Sequence, residues 1–381
     1  EADSVHKHPS DLAVPPDLSH GHAMQPQRGR RPLYVDLLPP CNHACPAGED
    51  VQAWLALAQA GRYEEAFQRL VVDNPMPAIH GRVCYHPCES ACNRGALDDV
   101  VSIHAVERFV GDRARELGWD IRFDARPSGK RVLVVGAGPG GLSAAYHLTR
   151  LGHSVEIHDA GPVAGGMMTA GIPAYRLPRA VLAAEIARIE RMGVRIVLNH
   201  KLVDLLAAQQ EGRFDAVFLA IGAQLGKKTE IPARDAGTIL DAVSFLANSS
   251  RGEAPVLGRR VAVYGGGNTA LDTARVVKRL GHEPLIIYRR DREHMPAHAF
   301  EADEALEEGV EFHWLRSIKA MDATALEVEV MELDAQGRPR ASGRTERLEA
   351  DSLILALGQD ADTSFLRGVP GLELEADGTL A

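Results

Sequence analysis

Val132-Leu-Val-Val-Gly-Ala-Gly-Pro-Gly-Gly-Leu142 is the stretch whose reading decides the fold. The β-branched run Val132–Val135 reads as a buried strand. Gly136-Ala137-Gly138-Pro139-Gly140-Gly141 then carries the G-x-G-x-x-G spacing, and a helix opens at Leu142 and runs to Leu151. The glycines differ in what they allow. Gly136 permits the tight turn, Gly138 lets a pyrophosphate approach the backbone, and Gly141 allows close helix–sheet packing. The helix start supplies amides and positive potential to the phosphates. Strand Val155–His158 completes a βαβ unit, and Asp159 follows it at the interval where a carboxylate can accept from both hydroxyls of an unphosphorylated ribose, as in FAD or NAD. The competing reading is an ordinary strand–helix turn.

Working outward, the cycle repeats. Strand Val261–Tyr264 leads into Gly265-Gly266-Gly267-Asn268-Thr269-Ala270, a helix follows to Leu280, and a second strand spans Leu285–Tyr288. Ala270 stands where the third glycine would be and only a small side chain is needed. The difference lies after that strand: Arg289 and Arg290 replace the acidic residue, placing two guanidinium groups where a ribose 2′-phosphate would sit. This favours NADPH over NADH, against the alternative of a solvated arginine edge. Val217–Ile221 and Leu353–Leu357 are short buried-strand patterns ending in glycine, both expected to return the chain to the first sheet.

The five cysteines, Cys41, Cys45, Cys84, Cys88 and Cys92, all fall in the first quarter, among helical patterns. An odd, clustered count in a large charged chain argues for metal ligation over a disulfide framework. Thiolates at these spacings suit an iron–sulfur cluster or a structural zinc, and spacing alone does not separate the two. The neighbouring redox nucleotide sites favour a cluster. His43 and His86 sit among the thiolates, as further ligands or as local hydrogen-bonding residues.

The expected fold class is thus α/β, with two Rossmann-like nucleotide-binding domains preceded by a helical iron–sulfur domain. Its segments are a tail over residues 1–30, the helical domain over 31–126, a first nucleotide-binding domain, for FAD or NAD, over 127–255 and 351–381, and the NAD(P)H domain over 256–350. The 381 residues, 45% hydrophobic, suffice for such cores. A net charge of −10, from 42 basic and 52 acidic residues, gives no footprint for a nucleic-acid backbone. No apolar run is long enough to cross a membrane, and no secretory segment opens the chain, so a cytoplasmic location is expected.

From about residue 36 onward the chain resembles the NADPH-dependent flavoprotein family of the glutamate synthase small (beta) subunit, shared with the N-terminal half of dihydropyrimidine dehydrogenase. The marks are Cys45-Pro-Ala-Gly48, Asp73-Asn-Pro75, Gly81-Arg-Val-Cys84, Pro87-Cys-Glu89, the first glycine turn, Gly165-Gly-Met167, Gly171-Ile-Pro173, Tyr175-Arg-Leu-Pro178, Gly266-Gly-Asn-Thr269 and Tyr288-Arg-Arg290. The resemblance implies FAD on Gly136–Gly141 and Asp159, with Gly166, Met167, Arg176 and Leu202 around the flavin nucleotide. It implies NADPH on Gly265–Thr269, Arg289 and Arg290. It further implies one 4Fe-4S cluster on Cys45, Cys84 and Cys88, the fourth ligand falling near Glu107 or Arg108, of which only Glu107 can donate to iron. A second cluster in the family would use Cys41 and Cys92, but the two further upstream cysteines it needs are absent here. One cluster is expected, with the roles of Cys41 and Cys92 open.

The same resemblance implies flavin-centred chemistry: hydride passes between NADPH and FAD, and single electrons pass through the cluster to a partner subunit or ferredoxin, in a hetero-oligomer. No C-x-x-C stands near the flavin turn, which argues against a self-contained disulfide reductase. A true glutamate synthase small subunit and a zinc-stabilised, non-catalytic adaptor are the alternatives. Family members continue past Leu355-Ala-Leu-Gly-Gln359 through a Gly-Asp segment that closes over the flavin. The stop at Ala381 and the start at Glu1 therefore suggest a fragment with a weakened hold on FAD.

Overall fold

Prolines and cysteines alternate at the helix ends of the first domain. Helices α1 (Pro40–Ala44), α4 (Pro77–Val83) and α5 (Pro87–Ser90) each begin at a proline, whose fixed φ suits a first helical turn. Cys45 and Cys84 then stand as the extended C-caps of α1 and α4, and Cys88 follows the proline that opens α5. Between them lie α2 (Val51–Gln59), with the Asp50 carboxylate accepting from Ala53 N, and α3 (Tyr63–Leu70). The long α6 (Ile103–Glu116) closes the domain. Trp54, Phe67, Leu70, Met76, Ile79 and Val110 are buried as its core. The computed structural model describes residues 38–227, 229, 231–232, 238–375 and 378–380; the tail expected over residues 1–30 lies outside the described residues.

The first nucleotide fold is a parallel sheet in the order β3-β2-β1-β4. It is built from β1 (Arg131–Val135), α7 (Pro139–Arg150), β2 (Ser154–His158), the short α8 (Met167–Ala170), α9 (Arg179–Arg191), β3 (Arg195–Val197), α10 (Leu205–Glu211) and β4 (Ala216–Leu219). Strand β5 (Leu225–Gly226) follows as a short outlying piece.

The second fold gathers β6 (Thr238–Asp241), α11 (Ala242–Ser250), β7 (Arg260–Tyr264), α12 (Asn268–Arg279), β8 (Glu283–Tyr288), α13 (Ala299–Glu307) and β9 (Glu311–Trp314). An antiparallel sheet of β10 (Arg316–Met321), β11 (Ala325–Leu333) and β12 (Pro339–Glu349) packs onto it, and β13 (Ser352–Leu355) returns to the middle of a five-stranded parallel sheet, β6-β13-β7-β8-β9. This corrects the expectation for Leu353–Leu357: the strand joins the second sheet, with Leu355 beside Tyr264, and not the first. Strand β6 likewise joins the second sheet and helix α11 packs on it through Ala242, Phe245 and Leu246, although the sequence reading places residues 238–255 in the first fold. The chain returns to the first fold only after β13, through β14 (Gln359–Asp360), which pairs with β5.

The helical domain and the first nucleotide fold share one core, running from Trp54 and Phe67 through Leu142 and Tyr146 to Ile157 and Leu177. Polar contacts fix the joint. The Tyr146 hydroxyl donates to Val71 O, the Arg150 guanidinium donates to Val72 O, and the Arg188 guanidinium lies over the Phe67 ring.

Candidate functional site

The two glycine turns are built alike. At Gly136, φ is 109°, and a Cβ there would stand 2.2 Å from Ala220 O; at Gly265, φ is 155° and a Cβ would stand 2.2 Å from Ala356 O. In each fold the segment after the neighbouring strand, β4 or β13, runs too close to the turn for any side chain, so both positions demand glycine. Neither α7 nor α12 has a side-chain cap at its N-terminus, and open space lies beside Gly140 and Gly267. Free first-turn amides facing open space are what a dinucleotide pyrophosphate requires.

A cavity of about 540 Å³ opens beside the first turn. Gly136, Gly138, Pro139, Gly140, Asp159, Gly166, Met167 and Leu202 all line it, while Ala137 and Gly141 form the turn behind. The Asp159 carboxylate accepts from Ala137 N at 2.6 Å and from Gly161 N at 2.7 Å, so it also ties the turn to the following loop. Arg176, expected at the flavin nucleotide, is not part of this lining: its guanidinium pairs with Asp272 and Glu301 of the second fold. Both carboxylates are buried and lie across the domain boundary.

At the second turn, Asn268 is fixed at both ends of its amide, donating to the Tyr85 hydroxyl and accepting from His298 N. The Tyr85 and His298 rings stack at 3.5 Å. Gly266 packs against Tyr288, the last residue of β8, directly before Arg289 and Arg290. Arg289 is exposed; Arg290 is half-buried and its Nε has no partner among the described residues, a donor left for an incoming acceptor. The neighbouring Arg292 pairs with Asp303.

A smaller chamber of about 240 Å³ lies between the folds. Met167, Gly171 and Ile172 come from the first, Asn268, Thr269 and Asp272 from the second, and Val83 and Tyr85 from the helical domain. Tyr85 is the residue after Cys84, so one wall of the chamber is covalently joined to the thiol group.

Cys45, Cys84 and Cys88 lie within electrostatic reach of one another. Burial pushes all three thiols up, Cys88 to about 12, with repulsion from Cys84 and Cys45 adding to the effect on Cys88. Glu107, buried in the same region, is driven well above the carboxylate range by burial and by Glu49; Asn74 donates to both carboxylates. Backbone N–H groups of Ala47 and Glu49 face Cys45, that of His86 faces Cys84, and that of Glu89 faces Cys88. Thiols and a carboxyl that repel each other but receive N–H donors suit a cationic centre, which would deprotonate them outright.

Among the described residues the one trio of metal-binding side chains with ligand atoms within 4.8 Å of one another is His86, Glu89 and His104, and no three thiols come so close. The His86 and His104 rings are stacked at 3.9 Å, so their lone pairs do not converge on a shared ion. Cys41 donates to Asn42. Cys92 receives backbone N–H groups from Val101, Arg94 and Gly95, which hold its thiol below the usual range.

Sequence reasoning passes over Tyr85, His298, Asp272, Glu301 and the Asn74–Glu49 pair. Only Asn74, inside Asp73-Asn-Pro75, and Glu49, just after Cys45-Pro-Ala-Gly48, carry a local signal.

Residues 130–381 match the family described as pyridine nucleotide-disulphide oxidoreductase, and residues 28–119 match dihydropyrimidine dehydrogenase domain II, 4Fe-4S cluster. The chain is 37% identical to the NADP(+)-dependent formate dehydrogenase subunit beta of Moorella thermoacetica, over 90% of this chain and 54% of that one. It is 33% identical to the glutamate synthase (NADPH) small chain of Escherichia coli K12, over 90% of this chain and 78% of that one. Among solved structures, FprA of Mycobacterium tuberculosis in complex with NADPH is similar at a TM-score of 0.53 and 20% identity, over 66% of this chain and 74% of that one, a likeness of fold alone. The chain spans about half the length of the formate dehydrogenase and NADPH-Fe(3+) oxidoreductase beta subunits it matches. Its two folds, their glycine turns and both matched segments lead to one assignment: the chain belongs to the pyridine nucleotide-disulphide oxidoreductase family, carrying a 4Fe-4S domain of the dihydropyrimidine dehydrogenase type at its N-terminal side.

Proposed function

We propose that this chain is the NADPH-linked electron-transfer part of a larger oxidoreductase, working between NADP(H), FAD and one 4Fe-4S cluster, with the terminal substrate handled by a partner polypeptide. The observation that carries this reading is the chamber where both nucleotide folds and the Cys84–Tyr85 segment meet. When bound, FAD supplies a two-electron acceptor for hydride and the cluster supplies single-electron transfer.

The chain's own residues do the rest. Gly136–Gly141 and the α7 amides hold one pyrophosphate, and Asp159 faces its ribose. Gly265–Thr269 hold the other, and Arg289 and Arg290 receive the 2′-phosphate. Cys45, Cys84, Cys88 and Glu107 hold the cluster. Met167 and Ile172 give the chamber apolar walls that keep water from the reacting carbon. The names of the relatives, subunit beta and small chain, support a hetero-oligomer with a partner subunit, and a cytoplasmic location belongs to the same reading.

Anaerobic titration of the reconstituted protein tests this. NADPH is expected to bleach both flavin and cluster absorbance, and NADH to do so far less. Zinc without iron on metal analysis would move the assignment to a metal-stabilised adaptor. A loaded protein that NADPH fails to bleach would end the proposal.

A further inference from the structure

Two adjacent residues of the first fold are gripped by the second. Arg176 lies in the loop between α8 and α9, its side chain 16% exposed. Its Nη1 donates to both Asp272 oxygens at 2.8 Å, and its Nη2 pairs with Glu301. Asp272 is on α12 and Glu301 on α13, with side chains 9% and 3% exposed. Arg176 also reaches the Tyr85 hydroxyl, adding the helical domain to the joint. The neighbouring Tyr175 ring lies under two guanidinium groups of α12, Arg279 at 3.7 Å and Arg275 at 5.2 Å. Those arginines are held in turn by Glu308, which both contact, and by Glu304 at Arg275.

We propose that Tyr175 and Arg176 form an interdomain clasp, in which Arg176 acts as a positioning residue that sets how the second nucleotide fold faces the first. Asp272 and Arg176 themselves stand in the wall of the chamber between Met167 and Asn268, so the bond between them fixes the separation of the two sides. Hydride transfer demands reacting atoms about 3–3.5 Å apart, and a displacement of about 1 Å can cost on the order of a hundredfold in rate. A buried arginine with two carboxylate partners resists such displacement, because opening the pair strands charges away from water. The clasp rests on the reading of the chamber as the meeting point of the two nucleotides. It gives Arg176 a role other than flavin binding.

The test compares Arg176→Gln and Arg176→Lys with the native protein in four measurements: FAD content, NADP+ affinity by calorimetry, the single-turnover rate of flavin bleaching by NADPH, and amide hydrogen exchange along residues 268–279 and 299–307. For Arg176→Gln, FAD content and NADP+ affinity are expected to stay within about twofold, while bleaching slows about ten- to a hundredfold and exchange at the start of α12 and in α13 quickens. Arg176→Lys, which keeps the charge, is expected to recover part of both. Tyr175→Ala is expected to move the same two readouts, and it carries the test if Arg176→Gln folds poorly.

Unchanged bleaching and exchange in the folded variants would overturn the clasp. So would a rate loss that merely tracks lost FAD, which would make Arg176 a flavin ligand. Should NADPH fail to bleach the native protein, the functional reading falls, while hydrogen exchange still decides whether the clasp exists.

Discussion

Arg188 holds its guanidinium 5.0 Å from the centre of the Phe67 ring, joining α9 of the first nucleotide fold to α3 of the helical domain. Both residues are fully buried, and the cation pairs with Glu185, on the preceding turn of its own helix. A cation–π contact away from water is worth about 2 kcal/mol. The thiol-bearing domain is therefore seated on the flavin fold by a charged joint as well as by a shared apolar core.

That joint titrates. Burial pushes the Glu185 carboxyl up to about 7, against the opposing pull of Arg188. A folded-state value above the unfolded one of about 4.3 means that the contribution is full below about pH 4 and is lost as pH rises to about 7. Glu185→Gln removes the titration. Relative to the native protein, its unfolding free energy is expected to improve by about 3 kcal/mol between pH 4.5 and pH 7.5, whatever its starting offset. Denaturant melts at several pH values measure this, and a constant difference across the range would contradict it.

Asp159 gives a prediction that ligand binding alone would not. Its two oxygens accept from Ala137 N and Gly161 N, so the carboxylate supports the turn before any ribose arrives. Asp159→Ala strands two amide donors and is expected to cost about 1–3 kcal/mol in the FAD-free protein. A variant that lost FAD without a change in apo stability would confine Asp159 to the ribose.

The two glycine turns are legible in the sequence because their constraint is local: a positive φ or a close backbone neighbour leaves one residue type. Strand β13 is not, because Leu353-Ile-Leu-Ala-Leu-Gly358 reads like Val217-Phe-Leu-Ala-Ile-Gly222. Each segment runs beside a glycine turn, with Ala220 O and Ala356 O in corresponding places, and nothing in its own residues says which turn is its neighbour. The place of Arg176 is hidden for a related reason. Its partner Asp272 is 96 residues away, and a motif at short spacing cannot reveal a clasp formed only when two folds meet.

Nucleotide choice is expected to reside in Arg289 and Arg290. Among the described residues Arg290 Nε is buried without a partner, which is costly unless an anion completes it. A hydrogen bond to a charged group is worth about 1.5–3 kcal/mol, so Arg290→Ala is expected to weaken NADPH binding about ten- to a hundredfold and to leave NADH nearly unchanged. Calorimetry with both nucleotides checks this. An equal loss for the two would move the 2′-phosphate contact away from this arginine.

The thiols separate into an interacting set and two outliers, and iron analysis can read the division. Cys45 raises the proton affinity of Cys84, both raise that of Cys88, and Cys45 and Cys84 share Glu49 and Glu107 as acidic neighbours. Cys41, by contrast, bonds to Asn42, and Cys92 to backbone amides. Cys84→Ser is therefore expected to lower iron from about four per chain to below about one, with loss of the cluster's visible absorbance. Cys41→Ala is expected to keep iron near the native level. Tyr85 follows Cys84, and its hydroxyl accepts from the Asn268 amide, so Tyr85→Phe is expected to retain full iron while releasing that amide at the second turn. If Cys41→Ala emptied the site as completely as Cys84→Ser, the cluster would draw on a different set of thiols from Cys45, Cys84 and Cys88.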